Sequence, residues 1–169
     1  MPLNDTGRAQ SVGVAERLAE SGEPWQAVYA SPLSRAAETA EIIARALGLP
    51  EPELVPALAE RAHGVLEGLD HAGRAAVEAQ AATIEGLEPR SSVTERASEA
   101  LLELAERHPG GNIVAVTHGG VIHALVLHLS GWTLPGPGFA IVNGSILLLR
   151  ANAGALELAE PEALTGTTD

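Results

Sequence analysis

Helical spacing and short unbroken apolar runs take turns along this chain. Near the start, Val12, Ala15, Leu18 and Ala19 recur at three- and four-residue intervals. They mark one face of a helix that Asn4, Asp5 or Thr6 can cap and that Gly22 and Pro24 stop. The pattern then predicts a strand over 27–31 and a helix over 33–47, closed by Gly48. Residues 54–58 are ambiguous, and 72–82 are alanine-rich, helical by propensity but poor in apolar anchors. A loop over 86–92 leads to a helix over 93–107 with Val93, Ala97, Leu101, Leu104 and Ala105 inward, and Pro109-Gly110-Gly111 ends it. A strand over 113–116 and a helix over 121–129 follow. Beyond Pro135-Gly136-Pro137-Gly138, the turn Asn143-Gly144 joins 139–142 to 146–149 as an antiparallel pair, and 156–159 form a last strand. Strands that alternate with helices imply an α/β class with a mostly parallel sheet.

Two of the strands end in chemistry. Val116-Thr117-His118-Gly119-Gly120 places a histidine between an apolar strand and a Gly-Gly that opens a helix. Residues 28–35 do the same with Ser31-Pro32-Leu33-Ser34-Arg35, which sets an arginine on the first turn of the next helix. Ligands collect at the C-terminal lip of open parallel sheets, and backbone N–H groups at a helix start favour anions. Arg35 and His118 at neighbouring strand ends therefore suggest an anion pocket.

Composition narrows the classes. A chain of 169 residues fits one domain, here 1–160, followed by a polar tail at 161–169. Aromatics are 2% against 46% hydrophobic residues overall, so the core is built from Ala, Leu, Val and Ile. The absence of cysteine excludes disulfides, thiolate metal sites and a cysteine nucleophile. A net charge of −12 with no basic cluster argues against nucleic-acid binding. No apolar run reaches membrane-spanning length, and a cytoplasmic location is expected. His123 and His128 lie five and ten residues beyond His118, which scatters them around a helix, so they read as interior or interface residues and not as a metal pair.

The strand-end segments resemble the histidine phosphatase superfamily, the phosphoglycerate mutase-like proteins. Ser31-Pro32-Leu33-Ser34-Arg35-Ala36-Ala37-Glu38-Thr39-Ala40 is similar to that family's S-P-L-x-R-A-x-E-T-A segment. Residues 58–68, from Leu58 through Glu60 and Gly64 to Glu67-Gly68, resemble its L-x-E-x-x-x-G-x-x-E-G segment. Thr117-His118-Gly119-Gly120 resembles its second-histidine motif, and residues 2–10 the P-L-T/N-x-x-G-x-x-Q piece before its first helix. The resemblance implies a three-layer sandwich, a mostly parallel sheet with helices on both faces, and phosphomonoester hydrolysis on a small phosphorylated metabolite. It implies no metal and no organic cofactor.

By that resemblance Arg35 clamps the phosphoryl group, Glu60 donates a proton to the leaving oxygen, and His118 is the second histidine. Gly119 offers backbone N–H beside it, and His63 lines the pocket mouth. Each has a plainer alternative: Arg35 as a helix-surface arginine paired with Glu38 or Glu41, Glu60 as a solvated loop residue next to Arg61. The short stretch between Gly68 and Val93 leans toward a small phosphatase and away from a mutase.

The family's Arg-His-Gly strand, whose histidine is the nucleophile, has no counterpart in this sequence. The 169-residue chain is therefore expected to be inactive as written, although it belongs with phosphatases that bind small phosphorylated molecules or inorganic phosphate. The alternatives are a pseudo-enzyme that holds a phosphorylated ligand and an interaction protein completed by another chain. The absent strand would lie beside 113–116, so that edge is expected to be closed by residues 140–149 or by a second copy in a homodimer.

Overall fold

Asn4 starts the first helix. Its backbone is extended and its side chain accepts a hydrogen bond from Gly7 N at 2.8 Å, which satisfies one N–H that a helix start leaves unpaired. Helix α1 then runs Asp5–Glu20 and is followed by strand β1, Trp25–Ala30. Helix α2, Ser34–Leu47, stops at Gly48, whose φ of 68° is the left-handed conformation glycine adopts without penalty. These elements belong to a computed structural model that describes residues 2–69, 73, 76–77, 83–134 and 141–159.

The ambiguous segment resolves into a two-residue strand β2, Glu53–Leu54, and a 3₁₀ turn, Pro56–Leu58. Helix α3 spans Arg90–Glu106, strand β3 Asn112–Val116, helix α4 Gly119–Leu129, and a hairpin joins β4, Leu149–Asn152, to β5, Ala155–Leu158. The three strands β2-β1-β3 lie in that order and are parallel.

Side-chain alternation along the strands builds the layers. Val28, Ala30, Val114 and Val116 pack on one face against Val14, Ala15 and Leu18 of α1 and Ala40, Ile43 and Ala44 of α2. Tyr29, Ala27, Ile113 and Ala115 turn to the other face, where Leu58 and Leu104 of α3 cover them. Helix α4 packs on α3 through Val93, Ala97, Val121, Ala124 and Leu125. The result is an α/β sandwich with helices on both faces of a parallel sheet.

Several expectations need correction. In α1 the inward face is Ser11, Val14, Ala15 and Leu18, with Val12 45% exposed, because the packing stripe follows the sheet and not the most apolar arc. Helix α3 begins at Arg90, three residues before 93, since Pro89 has the extended backbone that precedes a helix. Residues 141–148 form no strand, and the antiparallel pair is the later β4–β5, turned by Ala153 and Gly154 at positive φ. The hairpin chemistry at 143–144 makes a turn, but Ser145 Oγ bonds Val142 N and O, tying it off locally. His128 is exposed, not interior. Most of 72–82, and all of 135–140 and 161–169, lie outside the described residues.

The outer edge of β3 is unpaired among the described residues. Val116 O accepts from Ser31 N at 2.9 Å, so Val116 and Val114 direct their backbone groups to β1, and the alternate residues Ile113 and Ala115 direct theirs away. Residues 141–159 do not pair with them, so the expected closure by 140–149 is not found there. All five residues of β3 are only partly buried, whereas Val28, Tyr29 and Ala30 of β1 are nearly sealed. No helix among the described residues is long and apolar enough to cross a membrane.

Candidate active site

His118 sits in the extended conformation that precedes α4, with φ −127° and ψ 162°. Its side chain does not cap the helix; the residue is 5% exposed and Nε2 lies 2.7 Å from Ser31 Oγ, just past the end of β1. Ser31 is fully buried and is itself held by its backbone bond to Val116 O. The two strand ends are thus laced together by the pair that orients the imidazole. Burial, followed by the positive charges of Arg35 and Arg96, lowers the His118 pKa to about 4. The ring is neutral at pH 7. The N–H groups of Gly119 and Gly120, at the start of α4, have no acceptor among the described residues and remain available to an anion.

Arg35 occupies the first turn of α2 beside this ring, with its side chain 43% exposed. Its Nη2 lies 4.0 Å from Glu60 Oε2. Glu38, one of the partners expected for it, pairs instead with Arg8 at 2.6 Å, which leaves Arg35 free for the pocket. Glu60 is carried by the loop after the 3₁₀ turn. Leu58, fully buried, anchors that loop, and Thr117 Oγ1 donates to Leu58 O at 2.7 Å, tying it to the residue before His118.

Gly120 leaves room for the Glu60 carboxylate. A Cβ at that position would stand 2.5 Å from Glu60 Oε1, so a side chain there turns the end of that carboxylate aside. Gly120→Ala is expected to move the Glu60 carboxylate with at most about 1 kcal/mol lost, read as a nearly unchanged denaturant midpoint alongside weaker anion binding.

The residues that steady the loop were not recognisable as functional from sequence. Arg96 of α3 makes a two-pronged ion pair with Glu88, Nε–Oε1 at 2.7 Å and Nη2–Oε2 at 3.0 Å, and also donates to Ala57 O. Glu88 in turn accepts from Ala62 N at 3.1 Å, and its backbone O accepts from Arg61 Nε at 2.7 Å. The Arg96 guanidinium holds the Glu88 carboxyl below its ordinary range. Glu60 therefore rides on a loop pinned at Ala57, Arg61 and Ala62.

His63 is placed differently. Its backbone bridges to Leu87 and its N–H reaches Glu67 Oε1 at 3.4 Å, and no hydrogen bond or ion pair joins its ring to Arg35, Glu60 or His118 among the described residues. His108, just past α3, bonds Tyr29 Oη at 2.7 Å on the far side of the sheet. His71 lies outside the described residues.

The sequence and fold are similar to those of known proteins. The family profile of the histidine phosphatase superfamily (branch 1) matches residues 1–162. A metal-independent phosphoserine phosphatase of Arabidopsis thaliana is 37% identical over 139 residues, which cover 76% of this chain and 58% of that protein. The chain thus spans under two thirds of that relative's length. Among solved structures, Bacillus stearothermophilus YhfR superposes with a TM-score of 0.82 at 24% identity, covering 97% of this chain and 86% of that one. A mycobacterial glucosyl-3-phosphoglycerate phosphatase superposes with a TM-score of 0.74 at 27% identity, covering 97% and 84%. With the family profile matched across nearly the whole sequence, the chain belongs to the histidine phosphatase superfamily, branch 1.

Proposed function

We propose that Arg35, Glu60 and His118 form the phosphoryl pocket of a phosphomonoester hydrolase that acts on a small phosphorylated metabolite. The observation that carries this reading is their convergence: a cation, a carboxyl 4.0 Å from it and a neutral buried imidazole at the C-terminal ends of adjacent parallel strands. The relatives described above, which are phosphatases, support it. In this reading Arg35 and the N–H groups of Gly119 and Gly120 balance the charge on the phosphoryl oxygens, His118 bonds one of them, and Glu60 serves the leaving oxygen. His63 stands at the loop outside.

These residues do not supply the attack on phosphorus. The tripeptide Arg-His-Gly does not occur in the 169 residues, and the ring of His118 is engaged with Ser31. On this reading the 169 residues by themselves are expected to bind the ligand without turning it over. A second reading, a chain that works together with another strand, rests on the open edge of β3. A strand laid parallel to β3 there would end at the same lip as His118 and could bring a nucleophile to the pocket.

Titration with sulfate or phosphate, followed on the His118 ring by NMR, tests the pocket. An anion stabilises the imidazolium, so the ring midpoint, about 4 in the free chain, is expected to rise on binding, and by linkage sulfate binds more tightly below that raised midpoint. Arg35→Ala should weaken the anion by about 1.5–3 kcal/mol, roughly ten- to a hundredfold. Ring signals that ignore millimolar phosphate would sink the reading.

A further inference from the structure

Arg35 has a second carboxylate within reach along its own helix. Arg35 and Glu38 lie three residues apart on α2 and share a face, a spacing at which an arginine and a glutamate pair along a helix. Thr39 is on the same face, with its Oγ1 2.9 Å from Arg35 O. Arg35 nevertheless makes no ion pair with Glu38. Its one acidic partner among the described residues is Glu60, at 4.0 Å.

The first residues of the chain explain this choice. Glu38 Oε1 accepts from Arg8 Nε at 2.6 Å and Oε2 accepts from Leu3 N at 3.2 Å, so each carboxylate oxygen already has a donor from the segment that enters α1. Arg8 is braced in turn by Asp5, with Nη1 3.1 Å from Oδ1. One turn further along, the hydroxyls of Ser11 and Thr39 meet at 3.0 Å, and Ser11 is buried. The start of α1 is thus fastened along the face of α2 that carries Arg35.

Neither arginine is fixed by burial. The Arg8 side chain is 47% exposed and that of Arg35 43%, so the partner of each is decided by which carboxylate is free. The hydrogen bond from Arg8 holds the Glu38 carboxyl below its ordinary range, and Glu38 is fully charged at pH 7. Released from Arg8, that charge opposes an anion in two ways. It draws the Arg35 guanidinium back along α2, and it stands unbalanced about one helical turn, roughly 5 Å, from the residue that holds the phosphoryl group.

We infer that Arg8 is a positioning residue of the phosphoryl pocket: by occupying Glu38 together with the N–H of Leu3, it keeps Arg35 available to the phosphoryl group. The inference rests on the proposed pocket, because Arg35 has to be a residue that holds the anion.

Inorganic phosphate binding to the 169-residue chain, measured by calorimetry across a double-mutant cycle, tests this without requiring turnover. Arg8→Gln is expected to weaken phosphate roughly fivefold. In the Glu38→Gln background the same change should matter less than about 1.5-fold, since no carboxylate is left there to capture Arg35. Glu38→Gln alone should bind phosphate at least as tightly as the unaltered chain. An equal loss on Arg8→Gln in both backgrounds would mean that Arg8 acts on the anion directly as one more positive charge, and the inference falls. It falls equally if Arg8→Gln leaves the affinity unchanged, or if Glu38→Gln by itself weakens binding. A different result, phosphate that fails to bind the unaltered chain or ignores Arg35→Ala, removes the pocket itself.

Discussion

As its 169 residues, this chain is expected to hydrolyse an aryl phosphate no faster than its own His118→Ala variant. The expectation follows from what each pocket group can do. Arg35 and the N–H groups of Gly119 and Gly120 are positive and stabilise charge, which holds a phosphoryl group without attacking it. Glu60 can at most move a proton, a contribution of about 10²–10⁴ that has nothing to act on until a bond to phosphorus forms. The imidazole of His118 is neutral and in that sense fit to attack, but it is buried and its Nε2 is engaged with Ser31 Oγ at 2.7 Å. A steady-state assay with both proteins at equal concentration decides the matter. Rapid turnover that disappears in His118→Ala would make His118 the nucleophile or a substitute base, and would reverse the assignment of the ring as a holder of charge.

Much of this fold is legible in sequence because its strongest signals are local. Gly48 ends α2 as predicted, since only glycine sits easily at φ 68°, and the apolar run before His118 is the strand β3. The layering of helices on a parallel sheet follows from elements that alternate. What eluded the sequence depends on contacts between distant residues. Val12 looks like a core residue, but the sheet presents its surface to Val14, and burial is decided by that surface. Residues 139–149 carry the alternation and turn chemistry of a hairpin, but hairpin pairing falls one segment later, at β4 and β5.

The site divides in the same way. Arg35, Glu60 and His118 stand out because each is an ionisable group in a frame of turn residues at the end of an apolar run. Arg96 and Glu88 do not, since an arginine eight residues after a glutamate, inside a helical pattern, reads as a solvated face. Only the folded chain shows that Arg96 reaches both Glu88 and Ala57 O and so fixes the loop that carries Glu60. Arg61 shows the same limit. Beside Glu60 it reads as part of a solvated loop dipeptide, yet its Nε is spent on the Glu88 carbonyl.

The open edge of β3 gives the other large expected effect. Val114 and Val116 direct their N–H groups to β1, so their exchange with solvent requires the sheet to open. Ile113 and Ala115 direct theirs away and find no acceptor among the described residues. Amide exchange in dilute solution should therefore alternate along this strand, with Ile113 and Ala115 exchanging on the order of a thousandfold faster, equivalent to about 4 kcal/mol of opening free energy. The strand is apolar on both faces, packed by α1 and α2 on one side and by Leu58 and Leu104 on the other, and such a strand with a free edge is a template for pairing. Protection at Ile113 and Ala115 that appears only as concentration rises would identify a second copy as the partner. Protection that persists at every dilution would mean that the chain covers the edge itself, and the route for an added strand to the lip beside His118 would be closed.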